Sequence, residues 1–257
     1  MGVAREAPAA TAGDRTPAPP LPRHVVIELT KACNLRCVHC AVSSPGYVGE
    51  SLPWAAVEGI LPTLRRLRPT VALSAHGESL VYKRFFEAFA AVVEAGCPVG
   101  FTTNATLLAP ELVERMLEHA GPRGWIQLTV SIDAAEQELF ERLRRGARFA
   151  TVVSNLEVLR DAKRRRGLEY PVVAFNTVLM RDNLHQLAGI VRFASEVGAA
   201  SVTVVELLEY AHFVGHGLDG FGEEVARRVA EARDEAAQRG VRLTLVPGLA
   251  RLVGGEA

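Results

Sequence analysis

The sequence lacks a long hydrophobic run and an excess of charge of either sign. Lysine plus arginine and aspartate plus glutamate number 29 each, so the formal net charge is zero, and no basic run favours nucleic acid or an acidic membrane surface as a partner. No apolar stretch reaches the roughly 18 to 20 residues of a membrane span, and the N-terminus has no apolar signal core. We therefore expect a cytoplasmic protein with a small-molecule or peptide partner.

Cysteine is also scarce, and its distribution is uneven. The chain has four cysteines, of which Cys33, Cys37 and Cys40 lie close together and Cys97 stands alone. Disulfide bonds between such near neighbours would close very small, strained loops. The spacing instead favours metal ligation in a reducing compartment.

The N-terminal segment differs in composition from the rest of the chain. Residues 1–22 are rich in alanine, proline and threonine and show no apolar periodicity, which predicts a disordered leader. The remaining residues, 23–257, are enough for one large α/β domain.

Short β-branched runs alternate with longer amphipathic segments from His24 onward. The predicted strands are 25–29, 71–74, 99–103, 126–132, 172–178 and 201–207, with a weaker seventh at 241–246. The predicted helices are 53–67, 83–94, 109–119, 149–164, 183–197 and 222–239, several of which end in a glycine (Gly96, Gly198, Gly240) that suits a left-handed cap.

This alternation predicts an α/β fold, namely a partial (β/α)6 TIM-like barrel, because eight units would usually need a longer chain. In such barrels the chemistry comes from the carboxyl ends of the strands and the loops that follow them.

The three clustered cysteines fall on the loop after the first predicted strand, at CxxxCxxC spacing. Three thiolates can bind three irons of a cubane cluster and leave the fourth iron open to an exchangeable ligand. The alternative is a zinc site, for which His39 or Cys97 would have to supply the fourth ligand, although zinc ligands more often come as two pairs.

The segment IELTKACNLRCVHC, residues 27–40, resembles the cluster loop of radical S-adenosylmethionine (SAM) enzymes. The likeness is to the core domain of SPASM-type members, without their C-terminal extension and its cysteines. It implies a [4Fe–4S] cluster on Cys33, Cys37 and Cys40, and reductive cleavage of SAM to a 5′-deoxyadenosyl radical. It further implies hydrogen abstraction from a peptide or natural-product precursor, and a flavodoxin or ferredoxin as the reductant.

The loop after the second predicted strand, residues 74–80, resembles the glycine–glutamate segment of that family. Gly77 and Glu78 match, whereas Ala75 and His76 stand in place of glycines and Ser79 in place of a proline. The resemblance implies that Glu78 accepts a charge-assisted hydrogen bond from the SAM ammonium group. The alternative is an ordinary exposed loop glutamate.

The third predicted strand leads into residues 102–108, which resemble a Thr-Asn-Gly-Thr-Leu segment of the family with Ala105 replacing the glycine. Asn104 is then either a residue of the SAM pocket or a stabiliser of the turn.

The fourth and fifth predicted strands supply the remaining candidates. Ser131 and Asp133, with Arg144 downstream, resemble the family's Ser-x-Asp and Arg-Gly stretches, which implies a ribose contact from Ser131 and a SAM carboxylate contact from Arg144. Period-two alternation places Ser131 and Asp133 on one strand face, although Asp133 could instead cap the following helix. Asn176 is a further candidate for the pocket.

No catalytic residue beyond these binding groups is assigned, and Glu206 at the end of the sixth predicted strand is left open. His212 and His216 lie four residues apart without a third ligand, which favours a chance pair. A second hypothesis is a non-catalytic or truncated subunit that binds the cluster or SAM on behalf of a partner enzyme.

Overall fold

The computed structural model describes residues 21–252. The predicted leader lies outside the described residues except for its last two positions. The strands are β1 (His24–Val26), β2 (Thr70–Ala72), β3 (Val99–Thr103), β4 (Trp125–Ser131), β5 (Val172–Leu179), β6 (Ser201–Glu206) and β7 (Arg242–Leu245). The helices are α1 (Trp54–Leu67), α2 (Phe85–Glu94), α3 (Pro110–Gly124), α4 (Gln137–Leu143), α5 (Phe149–Arg166), α6 (Leu187–Glu196), α7 (Gly222–Arg239) and α8 (Pro247–Leu252).

The strands form one parallel sheet in sequence order, β1-β2-β3-β4-β5-β6-β7. Each strand pairs in parallel with the next, and within residues 21–252 β7 does not return to pair with β1. Helices cross over between successive strands, as parallel pairing requires. The predicted α/β partial barrel is therefore confirmed, and the weak seventh run is a strand of the sheet.

The core lies between the sheet and the surrounding helices. On β4, Leu128 and Val130 are fully buried on the face that packs against the helices. Thr129 and Ser131 alternate with them and point to the other face. The α2 helix buries a stripe that includes Phe85 and Phe89, at the four-residue spacing of one helix face. This layer fixes the outer side of the barrel and leaves the polar strand positions facing its interior.

Three predicted helix ends are confirmed. Gly96, Gly198 and Gly240 have φ angles of +77°, +76° and +66°, in the left-handed region that glycine reaches without strain. The sequence prediction omitted α4 and α8, which are only 7 and 6 residues long and so carry little periodic signal.

No helix among the described residues combines the length and the apolar character that crossing a bilayer requires.

Candidate functional site

A cavity of about 340 Å³ opens at the carboxyl ends of the strands. It is bounded by the loop after β1, the loop after β2, the ends of β3 to β6 and the segment after α4. The predicted site residues that line it are Cys33, Cys37, Cys40, Gly77, Glu78, Asn104, Ser131, Arg144 and Asn176. Of the predicted set only Asp133 does not face the cavity.

The cysteine loop is held by hydrogen bonds to the segment that follows α4. The backbone N–H of Arg36 donates to the carbonyl of Arg145 and that of Val38 donates to the carbonyl of Leu143, both at 2.9 Å. Cys37 lies between these two bonds and is buried, whereas Cys33 and Cys40 are half-buried. The loop therefore presents its three thiols from a fixed backbone.

Burial governs the protonation of Cys33 and Cys37. Burial raises the pKa of Cys37 to about 12, although the positive charge of Arg144 opposes the shift, and burial also raises the pKa of Cys33. A metal must therefore displace protons when it binds, because the thiolate is the ligand. The backbone N–H of Leu35, 3.4 Å from the sulfur of Cys33, is a donor suited to a thiolate.

Between residues 21 and 252, no three His, Cys, Asp or Glu side chains are grouped so that they could hold one metal ion. A tetrahedral zinc site needs such convergence on a single point. The irons of a cubane occupy separate corners, so its thiolates need only surround a shared volume. Cys33, Cys37 and Cys40 line one cavity, which is the arrangement that such a cluster needs.

Gly77 brings the loop after β2 into contact with the cysteine loop. Its φ is +67°, and a Cβ at this position would lie 2.5 Å from the carbonyl oxygen of Ala32. That same carbonyl accepts a 2.8 Å hydrogen bond from the backbone N–H of Glu78. Only glycine allows this close approach, which places Glu78 next to the thiols.

Glu78 is 2% exposed, so the alternative of an ordinary exposed glutamate is wrong. Its carboxylate accepts hydrogen bonds from the hydroxyl of Thr103 (2.7 Å) and from the backbone N–H groups of Asn104 (2.7 Å) and Leu80 (3.2 Å). Burial raises the pKa of Glu78, and these hydrogen bonds counter that shift. The carboxylate is thus fixed in position at the cavity wall.

We expect Gly77→Ala to destabilise the protein more than Gly167→Ala does. Both residues have left-handed φ angles, +67° and +61°, so each substitution carries about 1–2 kcal/mol of backbone strain. At Gly167 the new Cβ would meet nothing within 4 Å, whereas at Gly77 it would meet the cysteine-loop backbone. Urea unfolding of the two variants measures the difference; equal losses would show that this loop contact is not tight.

Asn104 both lines the cavity and stabilises its turn. Its side-chain oxygen accepts hydrogen bonds from the backbone N–H and the hydroxyl of Thr106, and its amide nitrogen donates to Asn34 on the cysteine loop at 3.0 Å. The next residue, Ala105, has a φ of +59°. This left-handed geometry explains why the pattern that the segment resembles has glycine there.

Asp133 is fully buried behind the cavity wall. One carboxylate oxygen accepts from the backbone N–H of Val178 (2.9 Å), and the other lies 2.6 Å from Nη2 of Arg144 and 3.3 Å from Nε2 of His39. Asp133 does not cap α4, whose N-cap is Glu136. The three residues that its carboxylate contacts all line the cavity, so Asp133 supports the wall from behind.

Burial has the largest single effect on the pKa of Arg144 and lowers it, but the adjacent carboxylate of Asp133 and the nearby Cys37 and Cys40 together raise that pKa above its usual value, so Arg144 stays charged. The sequence pattern suggests a role for His39 only in the alternative zinc site, whereas the structure places it beside Asp133. Burial lowers its pKa, and its Nδ1 has no hydrogen-bond partner within the described part of the chain.

The wall formed by β5, β6 and the loop after β6 adds Val178, Val205, Glu206, Leu208 and Tyr210 to the cavity. Glu206 is exposed there, and its carboxylate lies against Gly248 at the start of α8. The sequence placed Glu206 at a strand end but gave no sign of its neighbours.

The histidines of the loop after β6 do not form a ligand pair. Nδ1 of His212 lies 3.1 Å from the hydroxyl of Ser44, just beyond the cysteine loop, and Nδ1 of His216 lies 2.6 Å from Asp182. These contacts fasten the loop that carries Leu208 beside the cavity.

The protein is a parallel partial barrel that carries a three-cysteine loop at the carboxyl end of its first strand. The family model of the Radical SAM superfamily matches residues 27–194. The chain belongs to the radical SAM superfamily.

Similar proteins support this assignment. The AdoMet-dependent heme synthase of Methanosarcina barkeri is 36% identical over 191 residues, which cover 73% of this chain and 51% of that protein. The mycofactocin maturase MftC of Mycolicibacterium smegmatis is 27% identical over 67% of this chain and 41% of its own length. The chain thus spans about half the length of these curated relatives or less.

Among solved structures, Streptococcus suis SuiB bound to S-adenosylmethionine superimposes with a TM-score of 0.68 at 19% identity. The superposition covers 88% of this chain and 50% of SuiB, and it shows a shared fold.

Family membership implies a [4Fe–4S] cluster and SAM as cofactors, and the cavity fits them. Its donor set is three thiols on one loop, with the N–H of Leu35 near one sulfur and the guanidinium of Arg144 near another. Nε of Arg144 is buried without a hydrogen-bond partner among the described residues, so the wall retains a donor for a bound anion.

Proposed function

We propose that this chain, as a radical SAM core domain over residues 23–257, cleaves SAM reductively and abstracts hydrogen from a substrate. The observation that carries the proposal is that Cys33, Cys37 and Cys40 share one cavity with Glu78, Ser131 and Arg144. These residues come from four separate parts of the barrel. Their convergence supplies both a cluster-binding wall and a wall for a charged cosubstrate.

When bound, the reduced cluster supplies the electron that breaks a C–S bond of SAM, giving methionine and a 5′-deoxyadenosyl radical. The three cysteines hold the cluster. Glu78 accepts from the SAM ammonium group, Ser131 from a ribose hydroxyl, and Arg144 faces the carboxylate. Apolar residues of the wall, such as Leu35 and Val178, keep water away so that the radical meets the intended C–H bond.

Asn104 and Asn176 complete the SAM pocket in this proposal. Asn104 is anchored to the cysteine loop through Asn34, so its position follows that of the cluster. Asn176 lies on β5 next to Ser131, with which it is in register across the two strands. Asp133 serves the same pocket indirectly, because it orients Arg144 rather than contacting the cosubstrate.

The proposed substrate is a peptide or natural-product precursor. One neighbour in structure, SuiB, is solved with a precursor peptide, and one relative is named a mycofactocin maturase. On this chain Glu206, Leu208 and Tyr210 line the cavity but are not part of the proposed SAM pocket, and this wall is where the substrate would enter. A flavodoxin or ferredoxin is the proposed source of the electron.

Anaerobic reconstitution with iron and sulfide tests the proposal. We expect about four irons per chain, since a cubane holds that number. We also expect a SAM-dependent change in the EPR spectrum of the reduced cluster, and 5′-deoxyadenosine after addition of dithionite and SAM. Iron uptake without 5′-deoxyadenosine would contradict the proposed enzyme and favour a cluster-binding subunit. Stoichiometric zinc with no iron uptake would contradict both.

A further inference from the structure

The guanidinium of Arg144 contacts a cluster ligand as well as the cavity. Its Nη1 lies 4.0 Å from the sulfur of Cys37, and its Nη2 lies 2.6 Å from Asp133. Arg144 is 5% exposed and Asp133 is fully buried. A positive charge is therefore held next to one thiol in a part of the protein from which water is excluded.

This position is fixed by the backbone on both sides. Two backbone hydrogen bonds join the cysteine loop to the segment after α4. Cys37 lies between them on the cysteine loop, and Arg144 lies between them on the other segment. The side chain is then fixed at its far end by Asp133, whose second oxygen is anchored by the N–H of Val178. Neither constraint involves the cosubstrate, so Arg144 stays beside Cys37 whether or not SAM is bound.

We propose that Arg144, positioned by Asp133, acts on the iron–sulfur cluster through the sulfur of Cys37 and raises the cluster's reduction potential in the absence of SAM. The inference rests on the proposed cluster site and gives Arg144 a role separate from the SAM carboxylate. Reduction adds one electron to the cluster and its thiolate ligands. A cation and N–H donor next to one of these sulfurs stabilises that added negative charge.

The test is a potentiometric titration, monitored by EPR, of the reconstituted full chain without SAM. Arg144→Gln removes the charge but keeps a polar side chain, and we expect a more negative midpoint potential. Arg144→Lys keeps a positive charge, and its midpoint potential should lie between those of Arg144→Gln and the unaltered protein. Arg142→Gln is the matched control, because Arg142 is an exposed residue of α4. The midpoint potential of this variant should equal that of the unaltered protein.

Two outcomes would overturn the inference. If Arg144→Gln has an unaltered SAM-free potential while its SAM affinity falls, Arg144 acts only on the cosubstrate. If Arg142→Gln shifts the potential as much as Arg144→Gln does, the effect is one of overall charge. If Arg144→Gln fails to fold or to take up iron, Arg144→Lys is compared with the unaltered protein instead. Equal potentials of these two proteins with and without SAM, together with weaker SAM binding by Arg144→Lys, would contradict a role at Cys37. Failure of the proposed function is distinguishable, because the unaltered chain would then give no cluster signal.

Discussion

Replacing Cys37 by alanine is expected to abolish cluster binding and, with it, cleavage of SAM. Cys37 is the middle cysteine of the loop, it lines the cavity, and it lies between the two backbone hydrogen bonds that fix the loop. Without Cys37 the cubane would keep only two of its three protein ligands, and Cys97, the fourth cysteine of the sequence, does not line the cavity. Iron analysis, the visible absorption of the cluster and 5′-deoxyadenosine formation measure the loss.

Cys97→Ala is the matched control. Cys97 is also buried, but it follows α2 and precedes β3, at the opposite end of the strands from the cavity. Its thiol faces the carbonyl of Leu64 in α1 at 3.6 Å. Iron content and SAM cleavage should therefore stay close to those of the unaltered protein. If both variants lost the cluster equally, the assignment of Cys33, Cys37 and Cys40 as the three ligands would be overturned.

The barrel and the cysteine loop were predictable because their signals are local. Runs of β-branched residues give the strands, and left-handed glycines such as Gly96 give the helix ends. Each motif follows a strand, and all parallel strands point the same way, so chain order alone brings Glu78, Asn104 and Ser131 to the same end of the sheet. That argument needs no knowledge of side-chain contacts.

Asp133 shows where the local argument stops. Period-two alternation places it on the same face as Ser131, but β4 ends at Ser131 and the chain then turns. Asp133 consequently points into the protein and meets Arg144 and His39, which come from two other segments. Such a pairing depends on how three separate parts of the chain pack, and no spacing within one segment encodes it. The contact of Glu206 with Gly248 could not be predicted from the sequence for the same reason.

Asp133→Ala is expected to reduce the free energy of unfolding by about 3–5 kcal/mol, the usual loss when one partner of a buried ion pair is removed. Asp133 is fully buried and the side chain of Arg144 is 7% exposed, so little water can reach the guanidinium that loses its partner. The backbone N–H of Val178 would lose its acceptor, and Nε2 of His39 would lose the carboxylate that lies 3.3 Å away. Urea unfolding of the full chain measures the change.

Two further variants separate the buried ion pair from the mere loss of an aspartate. Asp182→Ala removes a carboxylate that pairs with His216 at 2.6 Å, but both side chains are about one-third exposed, and we expect a loss of at most about 1 kcal/mol. Asp133→Ala combined with Arg144→Met removes both buried charges, so most of the stability lost in the single variant should return. If the double variant were as unstable as Asp133→Ala, the unpaired charge would not be the cause and the loss would come from packing. If the single variant lost no more than Asp182→Ala, the guanidinium would have found another partner, and Asp133 would not be what holds Arg144 beside Cys37.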